Sequence, residues 1–479
     1  MATTKRTARR LAEEEFLLVA LLGAFAAIFL LVFPPTLLVA DSWLTLVGGR
    51  EVFEHGLPSH DELTVLAAGR TWTDQQWGAQ LLFYAGDAMA GLAGVVLFAA
   101  IVVVGAFVLA AVAARRLGAG PIPVLLVFFP VILAAPWGWT VRAQVFALPL
   151  YVGLLWLLTS EARRPSRRVY LAFPLLLVWA SIHGSVALGA LLTMLLAVIE
   201  IVRSRRVGLR HAALLVVSPL LVLATPYGPA TTARYYHLLI IDPPFSPGQV
   251  TEWNRSDPAL DTLFFYVLAA LAVLVLVRGW RRLTAFDLAA LAVTFAGAVL
   301  AIRGIPWFAM ACMVFLPVAL GGKVEARTDT VRRINRVVSA ATVLLVCLAV
   351  LVSLARDRSW YRKNWPEGAI TAVREASADP SARVFATSRH ADWLLWRIPS
   401  LRGRIAWDIR FEIYSPETFQ RILRFRAESG DWKALADDYR VVVLDSGQEP
   451  SHVPDFAGEP GAEILYRDDR LTVVRRAAA

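Results

Sequence analysis

The sequence predicts a mainly α, polytopic membrane protein of about 11 transmembrane helices, with a small α/β domain at its C-terminal, extracytoplasmic end. Three observations carry that expectation. A hydrocarbon core of about 30 Å takes roughly 20 apolar residues of helix, and runs of that order recur from Phe16 onward; 57% of the chain is hydrophobic and its mean hydropathy is +0.56. Basic clusters follow every second apolar run. Beyond residue 355 charged residues become frequent and strand-like segments begin. In lipid every backbone polar group needs an internal partner, so the apolar runs are helices; a barrel would show short alternating strands, which are missing before residue 355.

The first run, Phe16 to Ala40, follows a basic stretch, as a signal peptide does. Its length of about 25 residues and the lack of a small-residue cleavage site make it an uncleaved span instead. Lysines and arginines then gather at Lys5/Arg6/Arg9/Arg10, Arg115/Arg116, Arg163/Arg164/Arg167/Arg168, Arg203/Arg205/Arg206/Arg210, Arg278/Arg281/Arg282 and Lys323/Arg327/Arg332/Arg333/Arg336, whereas the intervening connections hold Arg50, Arg70, Arg142, Arg234, Arg255 and Arg303. By the positive-inside rule the clusters face the cytoplasm. The N-terminus is then cytoplasmic, an odd number of crossings puts the C-terminal segment outside a plasma membrane, and the domains divide as 1–355 and 356–479. The net charge of +10, spread over many loops, suits anionic lipid headgroups and speaks against nucleic acid. Cys312 and Cys347 both fall in predicted spans, leaving the external domain without disulfides.

The external connections are long. Between Asp41 and about Gln76, Ser42 to His55 reads as an amphipathic helix with Trp43, Leu46, Val47 and Phe53 on one side, stopped by Gly56 and Pro58 and suited to lie along the membrane surface. A polar, turn-rich stretch follows until a second apolar helix starts at Trp77. Asp41, Glu51, Glu54, Asp61, Glu62 and Asp74 against Arg50 and Arg70 make this loop an acidic wall. A second loop, Thr225 to Pro258, is too proline-broken for a span and too aromatic for a disordered linker. In the last segment RVVVLD and DRLTVVRR read as strands, with helical SPETFQRILRFRAESGDWKALADD before them.

Chemistry concentrates on the outer side. Asp41 directly follows the first span, where a carboxylate is costly unless solvated or used as a base or metal ligand; an N-cap for the next helix is the plainer alternative, and the roles are compatible. The adjacent Asp61 and Glu62 can divide acid and base roles or hold a divalent cation such as Mg or Mn, or else be ordinary solvated acids. Arg142 and Arg303 stand at outer span ends, where a guanidinium pairs with a lipid phosphate or snorkels to headgroups. Gly304 and Pro306 break the helix beside Arg303, as where a cavity is lined, which favours Arg303 as the phosphate ligand. His183 sits in an external turn, as a cavity residue or a satisfier of local backbone. Glu252 and Trp253 pair an acid with a stacking platform for a sugar ring, and Tyr227 belongs to the same aromatic surface; the membrane aromatic belt accounts equally for the tryptophan. No Walker loop, Rossmann fingerprint, HExxH or GxSxG occurs, which excludes cytoplasmic ATP as the energy source.

The pattern D-x-W…G-R…G-x-P…D formed by Asp41, Trp43, Gly49, Arg50, Gly56, Pro58 and Asp61 resembles that of the type C glycosyltransferase superfamily, and in particular its bacterial and archaeal membrane proteins of this shape. GRTWTDQQWGAQLLFY, VRAQVFALPL, WASIHGSVALG, TPYG, TEWNRSDP, RGIPWFA, ADWLLWRIP and RIAWDIRFEIYSPE extend the resemblance over most of the chain in a consistent order. It implies an inverting sugar transfer outside the membrane from a polyprenyl-phosphate donor to a glycan, lipid or protein acceptor. Asp41 would be the base or metal-organising group; Leu44 replaces the group's usual second aromatic. An acidic pair like that of protein mannosyltransferases would make Asp61 and Glu62 the candidates instead. Arg303 and Arg142 would neutralise the leaving phosphate. The rivals are a transporter or flippase of a lipid-linked or anionic solute, which inverted repeats or mid-span charges would favour, and a non-catalytic cell-envelope scaffold.

Overall fold

The computed structural model describes residues 16–246, 248–322, 329–447 and 449–477. The basic residues Lys5, Arg6, Arg9, Arg10, Lys323 and Arg327 lie outside these. The chain forms two compact units.

The first unit takes in residues up to Leu37, Gly86–Pro226 and Thr251–Arg356. It is helical. Among the described residues, six helices are long and apolar enough to cross a membrane: Leu92–Arg116, Ala143–Arg163, Val186–Ser204, Leu263–Arg282, Ile302–Leu320 and Asp329–Ala355. Shorter apolar helices span Leu18–Leu31, Pro121–Ala134, Leu209–Val222 and Ala285–Leu300. The helix Ile305–Leu320 is buried on every side from Ile305 to Ala319, as a helix apolar all round must be to have neighbours everywhere. Lipid offers no hydrophobic drive between helices, so small residues let backbones close up. At Gly304 an added Cβ would come 2.4 Å from the carbonyl oxygen of Gly297, so only glycine lets the turn bearing Arg303 press on the helix Ala285–Leu300.

The second unit joins Leu38–Ala85, Tyr227–Val250 and Asp357–Ala479. Its boundaries therefore reach beyond the C-terminal segment drawn from the sequence. The reason is backbone pairing: Val65 and Leu66 donate to the carbonyls of Ile405 and Ala406, and Gly403 donates to that of Leu63, so the first loop extends the C-terminal sheet. That sheet has the order β1-β2-β4-β3, with β1 Val384–Ala386 parallel to β2 Val441–Asp445, and β4 Leu471–Arg475 antiparallel to both β2 and β3 Glu463–Arg467. β1 and β2 are buried throughout, the continuous apolar run of a parallel pair covered on both faces. Strands appear at RVVVLD and LTVVR as expected, and Pro416–Arg426 is helical. β1 and β3 went unread, β1 because three residues carry no periodicity.

A helix is present in the first loop as Ala40–His55, but it is not amphipathic as expected, because its buried side mixes Ser42, Thr45 and Glu51 with the apolar residues. Trp43, Leu46 and Val47 are buried, but Phe53 is 70% exposed and its ring lies 5.4 Å from that of Tyr84. The buried face instead includes Gly48 and Gly49. A Cβ on Gly49 would sit 2.4 Å from the Gln80 carbonyl oxygen, so close packing of two helices replaces an aromatic contact there.

Candidate functional site

In the second unit the acids of the first loop meet arginines from more than 300 residues later. Arg402 pairs with Glu51 at 3.0 Å and Glu62 at 2.6 Å. Arg50 donates to the carbonyls of Leu395 and Trp396, satisfying orphan acceptors at the end of the helix Ser388–Arg397. Arg410, 3% exposed, lies 2.5 Å from Asp61 and donates from Nε to Asp408 at 2.7 Å, with its guanidinium 4.2 Å above the Trp72 ring. Asp61 also accepts from the Leu63 and Thr64 amides and from the Thr64 hydroxyl at 2.6 Å. Both of its oxygens are thus filled by protein donors. The expected acidic wall is in large part a neutralised latch, because burying several carboxylates without counter-charge is too costly.

Asp392 lies in the same unit, wholly buried, with the Ile409 amide facing its carboxyl. Burial first, then the charges of Asp408 and Asp41, push its carboxyl well above the usual range, so it is held protonated. Arg410 Nη1 is buried without a partner among the described residues.

Asp41 occupies the first turn of Ala40–His55, where a negative charge complements the helix dipole. It is not the N-cap: Val39 holds that position, and Ser42 Oγ accepts the Val39 amide at 2.9 Å. Asp74 closes the same loop. Its Oδ1 accepts from Gln80 Nε2 at 2.9 Å, its amide donates to the Tyr227 hydroxyl at 3.2 Å, and its buried Oδ2 has no partner among the described residues. Burial pushes this carboxyl up to about 7, against the opposing pull of the Gln76 amide and Arg410. Burial also holds the Tyr227 phenol well above its ordinary value, so it stays protonated.

The first unit gathers a second group. Ile302 donates to the Asn254 carbonyl at 2.9 Å and Ser256 to that of Val299 at 3.1 Å, which fixes the loop bearing Glu252 and Trp253 beside the Ile302–Gly304 turn. Arg303 then stacks 4.3 Å above Trp253, and Arg142 forms an ion pair with Glu252. His183 Nδ1 accepts the Ser185 amide at 3.1 Å and lies 2.8 Å from its hydroxyl, which itself accepts from Trp179 Nε1. The ring proton is therefore on Nε2. Burial, reinforced by Arg303 and Arg142, pushes His183 down to about 3, so at neutral pH it is an uncharged N–H donor beside two guanidiniums.

Arg142, His183, Glu252, Trp253 and Arg303 thus come together in one unit, while Asp41, Asp61, Glu62 and Tyr227 belong to the other. Asp74 was read only as part of the acidic wall, and Asp392, Asp408 and Arg410 were given no individual role; the D-x-R spacing in RIAWDIRFE was the local signal for Asp408 and Arg410. Among the described residues no group of three or more histidine, cysteine or acidic side chains is placed to hold a metal ion. The Asp61/Glu62 pair does not fit a divalent cation, since both Asp61 oxygens face Arg410 or loop donors and Glu62 Oε2 faces Arg402.

No family model and no curated protein matches the sequence. Solved structures do match the fold. ArnT from Cupriavidus metallidurans in the apo state is similar with a TM-score of 0.57 at 15% identity, over 95% of this chain and 97% of that one. The same protein bound to undecaprenyl phosphate gives 0.54 at 14% identity, over 96% and 98%. The apo oligosaccharyltransferase of Archaeoglobus fulgidus gives 0.53 at 12% identity, over 91% of this chain and 70% of that one. With its apolar helices, this is a multi-pass membrane protein, and its fold is that of the type C glycosyltransferases.

Proposed function

We propose that the protein transfers a sugar from a polyprenyl-phosphate donor to an acceptor hydroxyl on the extracytoplasmic face, through an eleven-span topology with a cytoplasmic N-terminus. The observation that carries the reading is the near end-to-end likeness to a transferase whose structure holds undecaprenyl phosphate. The pairing of two guanidiniums with a neutral N–H donor in the first unit supports it.

In this reading the acceptor hydroxyl gives its proton to a carboxylate, its oxygen attacks the anomeric carbon, and the bond from that carbon to the phosphate oxygen breaks with inversion. The leaving phosphate gains a second negative charge. Arg303, Arg142 and the Nε2–H of His183 favour that charge, an electrostatic contribution that is often the largest in catalysis. Trp253 offers a face to the sugar ring. Asp41 is assigned as the base, because Asp61 is filled by protein donors and Glu62 is turned to Arg402; a positioned base contributes typically ~10²–10⁴-fold. Asp74, near 7, is suited to exchange a proton around neutral pH.

The test is incubation of the purified protein with radiolabelled polyprenyl-phosphate sugars and a membrane extract. Label should move to an acceptor with wild type and be lost with Asp41→Asn and Arg303→Ala at normal expression. Failure with every donor would replace the enzyme with a transporter of lipid-linked solutes. Unimpaired transfer by Asp41→Asn would move the base elsewhere.

A further inference from the structure

At the carboxyl ends of the parallel strands β1 and β2 lies a cavity of about 410 Å³, lined by Asn364, Arg389, His390, Asp445, Asp469 and Arg470, with Gly447 at its rim. The topology brings these residues to one edge. β1 ends at Ala386 and turns through Thr387 into the helix Ser388–Arg397, which sets Arg389 and His390 in its first turn. β2 ends on Asp445, and antiparallel β4 begins opposite it at Leu471, so Asp469 and Arg470 arrive there as well. Ligands of open α/β sheets sit in the crevice beyond the carboxyl ends of such strands.

The lining is balanced in charge. Asp445 Oδ1 accepts the Gly447 amide at 3.0 Å, while Oδ2 faces Arg389 at 3.4 Å and His390 at 3.9 Å. Burial pushes His390 down to about 4, so it is neutral. Arg470 donates to Asn364 Oδ1 at 2.7 Å, and Asp469 makes no hydrogen bond or ion pair among the described residues. An anion entering here meets two carboxylates; a cation meets two guanidiniums. A neutral ligand rich in hydroxyls uses both, since a carboxylate accepts hydroxyl hydrogens, a guanidinium donates to hydroxyl oxygens, and such charge-assisted bonds are strong. The volume falls within the usual range for small-molecule sites, about 300–1,000 Å³.

We propose that this cavity binds a neutral sugar unit of a glycan, as a recognition site distinct from the groups assigned to transfer. The proposal does not depend on the transferase reading, because it concerns binding without chemistry.

The experiment applies the full-length protein, in a detergent without a sugar headgroup, to a printed array of neutral and acidic oligosaccharides, with Asp469→Asn and Arg470→Gln as variants. Asp469 is exposed, so its variant should keep the wild-type thermal midpoint. The expected result is binding to neutral glycans, weakened roughly tenfold or more in both variants by loss of a charge-assisted hydrogen bond. No binding above background, preference for acidic glycans, or neutral binding that both variants retain in full would each overturn the proposal.

Discussion

Replacing Arg410 by methionine tests the latch of the second unit most directly. The wild-type guanidinium answers two carboxylates whose side chains are both 0% exposed, Asp61 and Asp408. Two opposite charges about 4 Å apart attract by roughly 4 kcal/mol at an effective dielectric of about 20, and removing one partner of a buried pair costs about 3–5 kcal/mol, because the other charge is stranded. Methionine keeps most of the apolar contact with Trp72 and a sulfur–aromatic attraction, so the loss is chiefly electrostatic. The expected destabilisation is therefore about 3–5 kcal/mol, read as a fall in thermal midpoint of roughly 2–4 °C for each kcal/mol.

Adding Asp61→Asn to the same background removes one stranded charge, so the double variant should lose less than the sum of the single ones. Thermal unfolding of the four proteins in one detergent gives the coupling, expected at about 1–3 kcal/mol for residues in one network. A midpoint for Arg410→Met equal to wild type, or additive losses, would show that Asp61 and Arg410 do not hold each other.

Two further outcomes follow from the same geometry. Asp74 has a folded value of about 7 against an ordinary 3.8, so the native state binds the extra proton and stability falls as pH rises from about 4 through 7; Asp74→Asn should flatten that decline in pH-dependent thermal unfolding, by at most about 4 kcal/mol at pH 8, and an unchanged slope would sink the assignment. On the proposed function, Glu252, which holds Arg142 through a partly exposed ion pair, competes with the donor phosphate, so Glu252→Gln should tighten undecaprenyl phosphate binding in detergent by up to about 5-fold, whereas equal or weaker binding would mean that the carboxylate does not compete with phosphate.

The mainly helical architecture was legible because apolar run length is a local property of the chain. Trp77 as the start of a helix, a helix ending at His55 and the two long strands were legible in the same local way, whereas the amphipathic character expected of the helix Ala40–His55 was not realised. The sequence singled out Arg142, His183, Glu252, Trp253 and Arg303 one by one, each beside a plainer structural alternative; their contacts depend on backbone bonds such as Ile302 to Asn254 that no pattern announces. The fate of the first-loop acids was not legible. Asp61 and Glu62 look alike as neighbours in sequence, yet one is buried on Arg410 and the other is 63% exposed on Arg402. Their partners lie more than 300 positions away, and backbone pairing such as that of Val65 and Leu66 with Ile405 and Ala406 brings them into reach. Asp74 was counted only as one acid of the wall, because its perturbation comes from burial, which a polar, turn-rich segment does not suggest.

The latch also gives the C-terminal sheet a mechanical purpose within its unit. A loop rich in acids between two helices would by itself be mobile, since like charges repel and few apolar contacts hold it. Arg402 and Arg410 supply the missing charge, the strip from Gly403 to Ala406 supplies backbone partners, and Arg50 and Trp43 tie the helix that carries Asp41 to Leu395 and to the Trp365 ring. A base contributes only when it is held to within a fraction of an ångström. The carboxylates that sequence inspection would rank as the most reactive pair are thus those that fix the loop, while Asp41 and Asp74, at its two ends, are the acids whose positions that fixing determines.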